Sequence, residues 1–264
     1  MSDVSEDEDV EEQPSQRVTV KQRDPDSGLP MVIEVGGHYT AGKPFIVEKY
    51  DTIMLHSEEG VPYIGVVMDF SEGEDEARPG ETEVQARMCW LYRTRDVKGP
   101  AKAAVGEMPV VVRRAALSAA PTSGGGDKGM FQEVLVSNHA DVVSAACIMH
   151  HIRVWCLPDE RLDPLLVPAV AAGSGPPPGA AAAAPTAAVA RSALLPGFVA
   201  RRLYNPEKSK LLPLGKVAPA VAKREFKPWV GEMVSELLRR TQEQLPGAMA
   251  GWVRLCAQRQ ARYS

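Results

Sequence analysis

The sequence is poor in the features that mark most enzymes and most secreted or membrane proteins. Its 264 residues hold four cysteines, Cys89, Cys147, Cys156 and Cys256, and none forms a Cys-x-x-Cys pair. A disulfide scaffold is denser than this in a shorter chain, and a zinc finger of the PHD kind needs more ligands at closer spacing. The thiols therefore read as reduced, in an intracellular protein. No run approaches the roughly 18 apolar residues of a membrane span. The first thirty residues are acidic and polar and lack the charged-then-apolar pattern of a signal peptide. Both absences argue against a secreted or integral-membrane protein. Catalytic patterns are missing too: there is no Gly-x-Ser-x-Gly, His-Glu-x-x-His, Walker loop or Gly-x-Gly-x-x-Gly. Gly124–Gly126 lacks the Lys-Ser/Thr of a phosphate cradle and reads as a loop. His150 and His151 lie near Cys147 and Cys156, but adjacent residues of a strand point to opposite faces and do not converge on one ion. Glu72, Glu74, Asp75 and Glu76 read as a solvated loop. The expectation is a non-enzymatic protein without metal or cofactor.

Enough remains to build a core. Apolar residues make up 44% of the chain, while aromatics make up only 6%. Glycine and proline number 22 each, which points to some linker. The formal net charge of −4 hides a polarised chain. Residues 1–12 contain Asp3, Glu6, Asp7, Glu8, Asp9, Glu11 and Glu12 and no Lys or Arg, the composition of a disordered tail. Residues 201–264 hold thirteen Lys or Arg against five acids. Such a basic end suits either nucleic-acid phosphates or the wet face of amphipathic helices.

Read in order, residues 1–30 form a leader. Short β-branched and aromatic runs follow at 31–35, 43–59 and 61–70, with a turn at 36–43 and a charged loop at 71–81. Residues 82–96 begin with strict alternation that puts Val84, Ala86 and Met88 on one face. Residues 98–129 read as an inserted Ala-, Gly- and Pro-rich loop. Strand character returns at 131–157, with a turn at Asn138–Asp141. Residues 158–195 are a low-complexity loop or linker whose prolines break any long helix. Two strands joined at Asn205–Pro206 are expected over 196–214. Phe226, Trp229, Val230, Met233, Leu237 and Leu238 then recur at helical spacing. Pro246 and Gly247 are expected to end that helix, and a second helix to run from about Ala248 to Ala261.

The aromatic residues carry the strongest chemical signal. In a strand, residues i and i+2 share a face, so Trp90 and Tyr92 present two rings side by side. Tyr63 lies in a neighbouring strand segment, and His139 and Asp141 lie beyond a third. Aromatic ring faces attract a quaternary ammonium, and methyl-lysine is the usual peptide ligand of such a box. Three aromatics from two strands also serve commonly as core.

The order of the segments narrows the reading. Pro62–Val67 (PYIGVV), Cys89–Asp96 (CWLYRTRD) and Glu133–Ile148 (EVLVSNHADVVSAACI) together resemble the bromo-adjacent homology (BAH) domain. That family shows Tyr-Ile-Gly in one strand, Trp-x-Tyr-Arg in another, and Asn-Glu-Val-x-x-Ser-x-His-x-Asp later. His38–Leu55 is similar to the family's opening. Gly197–Leu214 looks like the segment that follows this domain in plant-type chromatin proteins, with Phe198, Arg202 and Tyr204 packing back.

The resemblance implies an α+β chain. A β-rich, partly open barrel would span 31–157 and be extended by 196–214, with basic amphipathic helices at 220–264. It implies a nuclear chromatin module that reads a methylated lysine on a histone tail, histone H3 in the plant-type readers, and recruits a partner complex. Tyr63, Trp90 and Tyr92 match the cage, and His139 and Asp141 match the peptide groove. The basic C-terminal part would contact DNA or a protein partner. Departures are Gln132, Thr94 and Met149–His151, together with the long insertion at 98–129 and the lack of a PHD finger. Two other readings stay open. One is a BAH adaptor without methyl-lysine specificity; the other is a binder of the nucleosome surface through the basic end.

Overall fold

A computed structural model describes residues 16–40, 43–75, 78–105, 132–159, 161–168 and 192–263. The acidic run at 1–12, most of the expected insertion and most of the low-complexity stretch lie outside the described residues. The chain divides into two compact units. The first comprises residues up to Met88 together with Asp141–His151; the second comprises Cys89–Ala140 and everything from Ile152 onward.

The described part of the first unit is mainly strand, with short 3-10 turns at His38–Thr40 and Ala145–Cys147. β1 (Arg17–Arg23), β2 (Pro30–Gly36) and β3 (Phe45–Glu48) form an antiparallel sheet in that order. β1 lies within the expected leader and corrects that part of it. Its sequence, RVTVKQR, alternates, with Val18 and Val20 half-buried and the residues between them exposed. β8 (Ile148–His151), β4 (Thr52–Leu55) and β5 (Tyr63–Glu74) pair side by side, and the first half of β6 (Thr82–Arg93) follows β5. Ile64 to Met68 are buried without interruption, so both faces of β5 are covered there. Ile33, Val35, Val47, Ile53, Leu55 and Ile148 add to the buried apolar residues. Of the other aromatics in this unit, Tyr39 stacks on His56 at 5.0 Å, and Tyr50 lies under the Lys49 ammonium.

The second unit mixes strands and helices. The rest of β6 neighbours β7 (Gln132–Ser144), which pairs in parallel with β12 (Phe198–Asn205). β13 (Lys210–Pro213) closes an antiparallel hairpin with β12, with the turn where Asn205–Pro206 predicts it. β9 (Val154–Cys156) runs parallel to β12, and β10 (Leu166–Pro168) pairs with β11 (Ser192–Leu194) inside the expected linker. β7 passes straight through Asn138–Asp141, where a turn was expected. None of the described sheets closes on itself, so the β-rich expectation holds and a barrel is absent among the described residues.

Among the described residues the α-helices are α1 (Ala101–Val105), α2 (Val217–Ala222) and α3 (Pro228–Tyr263). α3 corrects the expected pair of helices: Pro246 lies inside it. A proline there removes one backbone hydrogen bond and costs about 3 kcal/mol. The apolar stripe continues across it, however. Val230, Met233, Val234 and Leu237 are buried. Leu245, Ala248, Met249, Trp252 and Val253 then pack on a cluster of Trp155, Leu157, Leu162, Leu165, Leu195 and Val199. Burying one large apolar side chain contributes roughly 1.5–3 kcal/mol, so several of them outweigh the proline. Thr241 adds a polar tie by accepting from the Cys156 amide at 2.9 Å.

Candidate functional site

β6 changes character along its length. In its first half Ala86 and Met88 are buried, as the alternation predicts; in its second half Cys89 and Leu91 are buried instead. The change leaves Trp90 and Tyr92 half-buried, on the same side of the strand. Strand geometry therefore places Trp90 and Tyr92 at neighbouring positions on one side of β6.

Tyr92 is held on two sides. Its hydroxyl lies 2.9 Å from His139 Nδ1. Its ring meets Tyr204 edge-on, with centroids 5.2 Å apart and planes at 72°. Tyr204 is buried beside Val97, Ala101, Val105 and Leu135, a cluster against which Tyr92 and Leu211 pack. The Tyr204 hydroxyl accepts from the Lys98 amide at 3.4 Å.

Ser137 ties the two strands together at this point. Its hydroxyl donates to the Trp90 carbonyl at 2.8 Å and accepts from the His139 amide at 3.1 Å. The Cys89 thiol reaches the Ser137 carbonyl at 3.2 Å. Ser137 is fully buried, so these bonds form away from competing water. Below it, Arg201 and Glu133 form a buried ion pair, with Arg201 Nε and Nη2 donating to Glu133 Oε1 at 3.2 and 3.0 Å. Their side chains are 1% and 9% exposed. Arg202 approaches the same carboxylate at 3.9 Å. The sequence pointed to Arg202; the closest bonds come from its neighbour Arg201.

Within the second unit, then, the structure brings together Trp90, Tyr92 and His139. Tyr63 and Asp141 belong to the first unit. Tyr63 opens β5, opposite Leu55 in the β4 register, and is 44% exposed. Asp141 is exposed on β7. Phe198 is half-buried at the start of β12. Sequence reasoning missed Ser137, Glu133 and Arg201 as supports. Ser137 and Glu133 stand inside the matched segment 133–148, so their positions were in view while their partners were not.

His150 and His151 are engaged away from any common ion site. His151 Nε2 lies 2.7 Å from the Ile46 carbonyl and its ring packs edge-on against Phe45. His150 Nδ1 lies 3.0 Å from the His151 carbonyl. Burial pushes the Cys156 thiol up to about 12 and raises that of Cys147 as well. Both thiols stay protonated near neutrality, which leaves them poor nucleophiles. Among the described residues no three His, Cys, Asp or Glu side chains gather as a metal site. No described helix is long and apolar enough to cross a membrane.

No protein-family model matches the chain, and no curated protein matches it. Among solved structures, the BAH domain of yeast Rsc2 superposes with a TM-score of 0.34 at 10% identity, over 67% of this chain and 53% of that one. The match thus spans about half of that structure's length. A likeness of that size identifies neither a fold nor an activity.

Proposed function

We propose that this protein is a non-enzymatic chromatin-binding module of the nucleus that reads a methylated lysine on a histone tail, histone H3 by the sequence resemblance. One observation carries the reading: Trp90 and Tyr92 stand half-buried on one side of β6, with Tyr92 anchored to His139. Two aromatic residues side by side with part of their surface accessible suit a quaternary ammonium, because the attraction depends on the cation meeting a ring face. Each such contact contributes about 0.5–2 kcal/mol, so affinity is modest and peptide specificity comes from neighbours such as His139. Tyr63 and Asp141 enter as third ring and groove residue on the sequence resemblance alone.

The test is a titration of the purified chain against histone-tail peptides, unmodified and mono-, di- and trimethylated, with Trp90→Ala and Tyr63→Ala alongside. Micromolar binding that depends on methylation and is lost in Trp90→Ala supports the reader. Loss in Tyr63→Ala assigns the third ring. Equal binding of methylated and unmodified peptides, or undiminished binding by Trp90→Ala, overturns the cage and favours an adaptor that uses the same strands for packing.

A further inference from the structure

The second unit carries a surface of different chemistry, built from loops. The β12–β13 turn and the loop between α2 and α3 meet at a shallow pocket lined by Asn205, Lys208, Lys210, Leu212, Glu225 and Phe226. Lys223, Arg224 and Lys227 flank Glu225 and Phe226 in the chain. All five of these cations are exposed. Residues 205–227 hold six Lys or Arg against two Glu. Among the described residues none of the five has an ion-pair partner. By contrast Arg239 and Arg240, further along α3, are both bonded to Glu236.

Neighbouring backbone is fixed against this face. The Ser209 hydroxyl donates to the Lys98 carbonyl at 2.7 Å. Gly99 allows that approach: its φ is +65°, and a β-carbon there would come within 2.6 Å of Ser209 Oγ. Lys98, also exposed, is thereby held beside the turn. Two non-glycine residues adopt left-handed backbone here, Ser209 at φ 47° and Arg224 at φ 61°. Arg224 occupies the position after the cap of α2. Its amide donates to the Val221 carbonyl at 2.8 Å, and the Glu225 amide donates to that of Ala220 at 3.0 Å. That pair of bonds is the Schellman ending, where glycine is the usual residue because it alone escapes the steric penalty. The chain carries a cation at a place where its backbone would favour glycine.

We propose that this face binds the phosphate backbone of duplex DNA. Lysine is a compact charge on a flexible stem, suited to phosphates and indifferent to base sequence. A protein partner would be expected to meet exposed apolar or aromatic side chains at its centre. Among the described residues the exposed large hydrophobics are Leu29, Met31, Ile46, Val61, Tyr63, Val142 and Leu255, and none belongs to these loops. A single strand would be held by stacking on exposed rings, whereas Phe226 is half-buried in the pocket and Tyr204 is buried. The face shares no residue with the aromatic pair, so it stands or falls independently of methyl-lysine reading.

The experiment is fluorescence anisotropy of a short labelled duplex with the full chain across a salt series. The variants are Lys208→Glu/Lys210→Glu and Arg224→Gly, each checked by thermal unfolding. Each neutralised phosphate contributes about −0.9 to the slope of log affinity against log salt. The wild-type slope should therefore be about −4 if four or five phosphates are met. The double charge reversal should weaken binding at least about tenfold. Arg224→Gly should reduce the slope by about one while leaving the melting temperature unchanged or higher, which separates lost charge from lost fold. Absence of duplex binding at low salt, variants that bind like wild type, or tighter binding of a single strand or an acidic peptide than of the duplex would each overturn the proposal.

Discussion

Two regions of the second unit solve opposite problems with their polar groups. Around the aromatic pair, polar atoms are spent on one another: Tyr92 on His139 at the surface, and beneath them Ser137 on the Trp90 carbonyl and the His139 amide, and Glu133 on Arg201. On the loops at 205–210 and 223–227 the charges face solvent without partners among the described residues. The first arrangement fixes shape, because the bonds of Ser137 and Arg201 are sheltered from water and order the strands that carry the rings. The second fixes no shape but sets up a local field that attracts an anion from a distance and weakens with salt. A recognition surface and an electrostatic surface thus rest on one short set of strands. They should respond differently to mutation, salt and pH.

The largest separation should come from Glu133→Ala. It strands Arg201 in a site where that side chain is 1% exposed. An uncompensated buried charge costs about 3–5 kcal/mol. Urea denaturation should show a correspondingly lower midpoint, and an unchanged midpoint would mean that the pair is not buried in solution. Ser137→Ala should cost less, about 1–3 kcal/mol, by leaving the Trp90 carbonyl and the His139 amide without their shared partner. If Ser137 organises the aromatic site, methyl-peptide affinity should fall in this variant even at temperatures where the fold is intact. Salt dependence of DNA binding should not change in it.

The smallest effect lies on α3, where charges are paired as they are not on the loops. A hydrogen bond from Arg239, then one from Arg240, holds the Glu236 carboxyl down to about 2. Its pKa is therefore lower in the folded chain than in the unfolded one. The stability it contributes is present above the ordinary carboxylate pKa and is lost as pH falls from there toward 2. The group is partly exposed, so the effect is small. Thermal melts of wild type and Glu236→Gln should differ near neutrality and converge toward pH 2. A difference that grows on acidification would contradict the assignment.

Several elements are legible in the sequence. The alternation at 82–88, the placing of Trp90 and Tyr92 on one face, the β12–β13 hairpin with its turn at Asn205–Pro206, and the helical stripe from Trp229 onward all follow from spacing and turn chemistry; Phe226, expected in that stripe, lies in the loop before α3. Other features are not. β1 was hidden because a two-sided strand of charged and β-branched residues next to an acidic run looks like tail. β7 runs through Asn138–Asp141 because neighbouring strands supply its hydrogen bonds, whatever the turn preference of Asn and Asp. Pro246 fails to end α3 because the side chains after it have a cluster to bury against. Arg201 and Glu133 are 68 residues apart, joined by parallel pairing of strands that nothing local in either segment specifies.

What the sequence determined by itself is periodic and local. It set which residues share a strand face or a helix stripe, where turns are permitted, and how charge is distributed along the chain, because side-chain direction follows backbone geometry every two or 3.6 residues. Tertiary structure alone decided which polar groups lose their water. The same kind of residue, an arginine, becomes a buried support at 201 and an exposed, unpaired cation at 224. That outcome depends on what long-range packing places against it. Burial changes the energy of a charge by several kcal/mol, whereas a change of neighbours in sequence changes it by tenths.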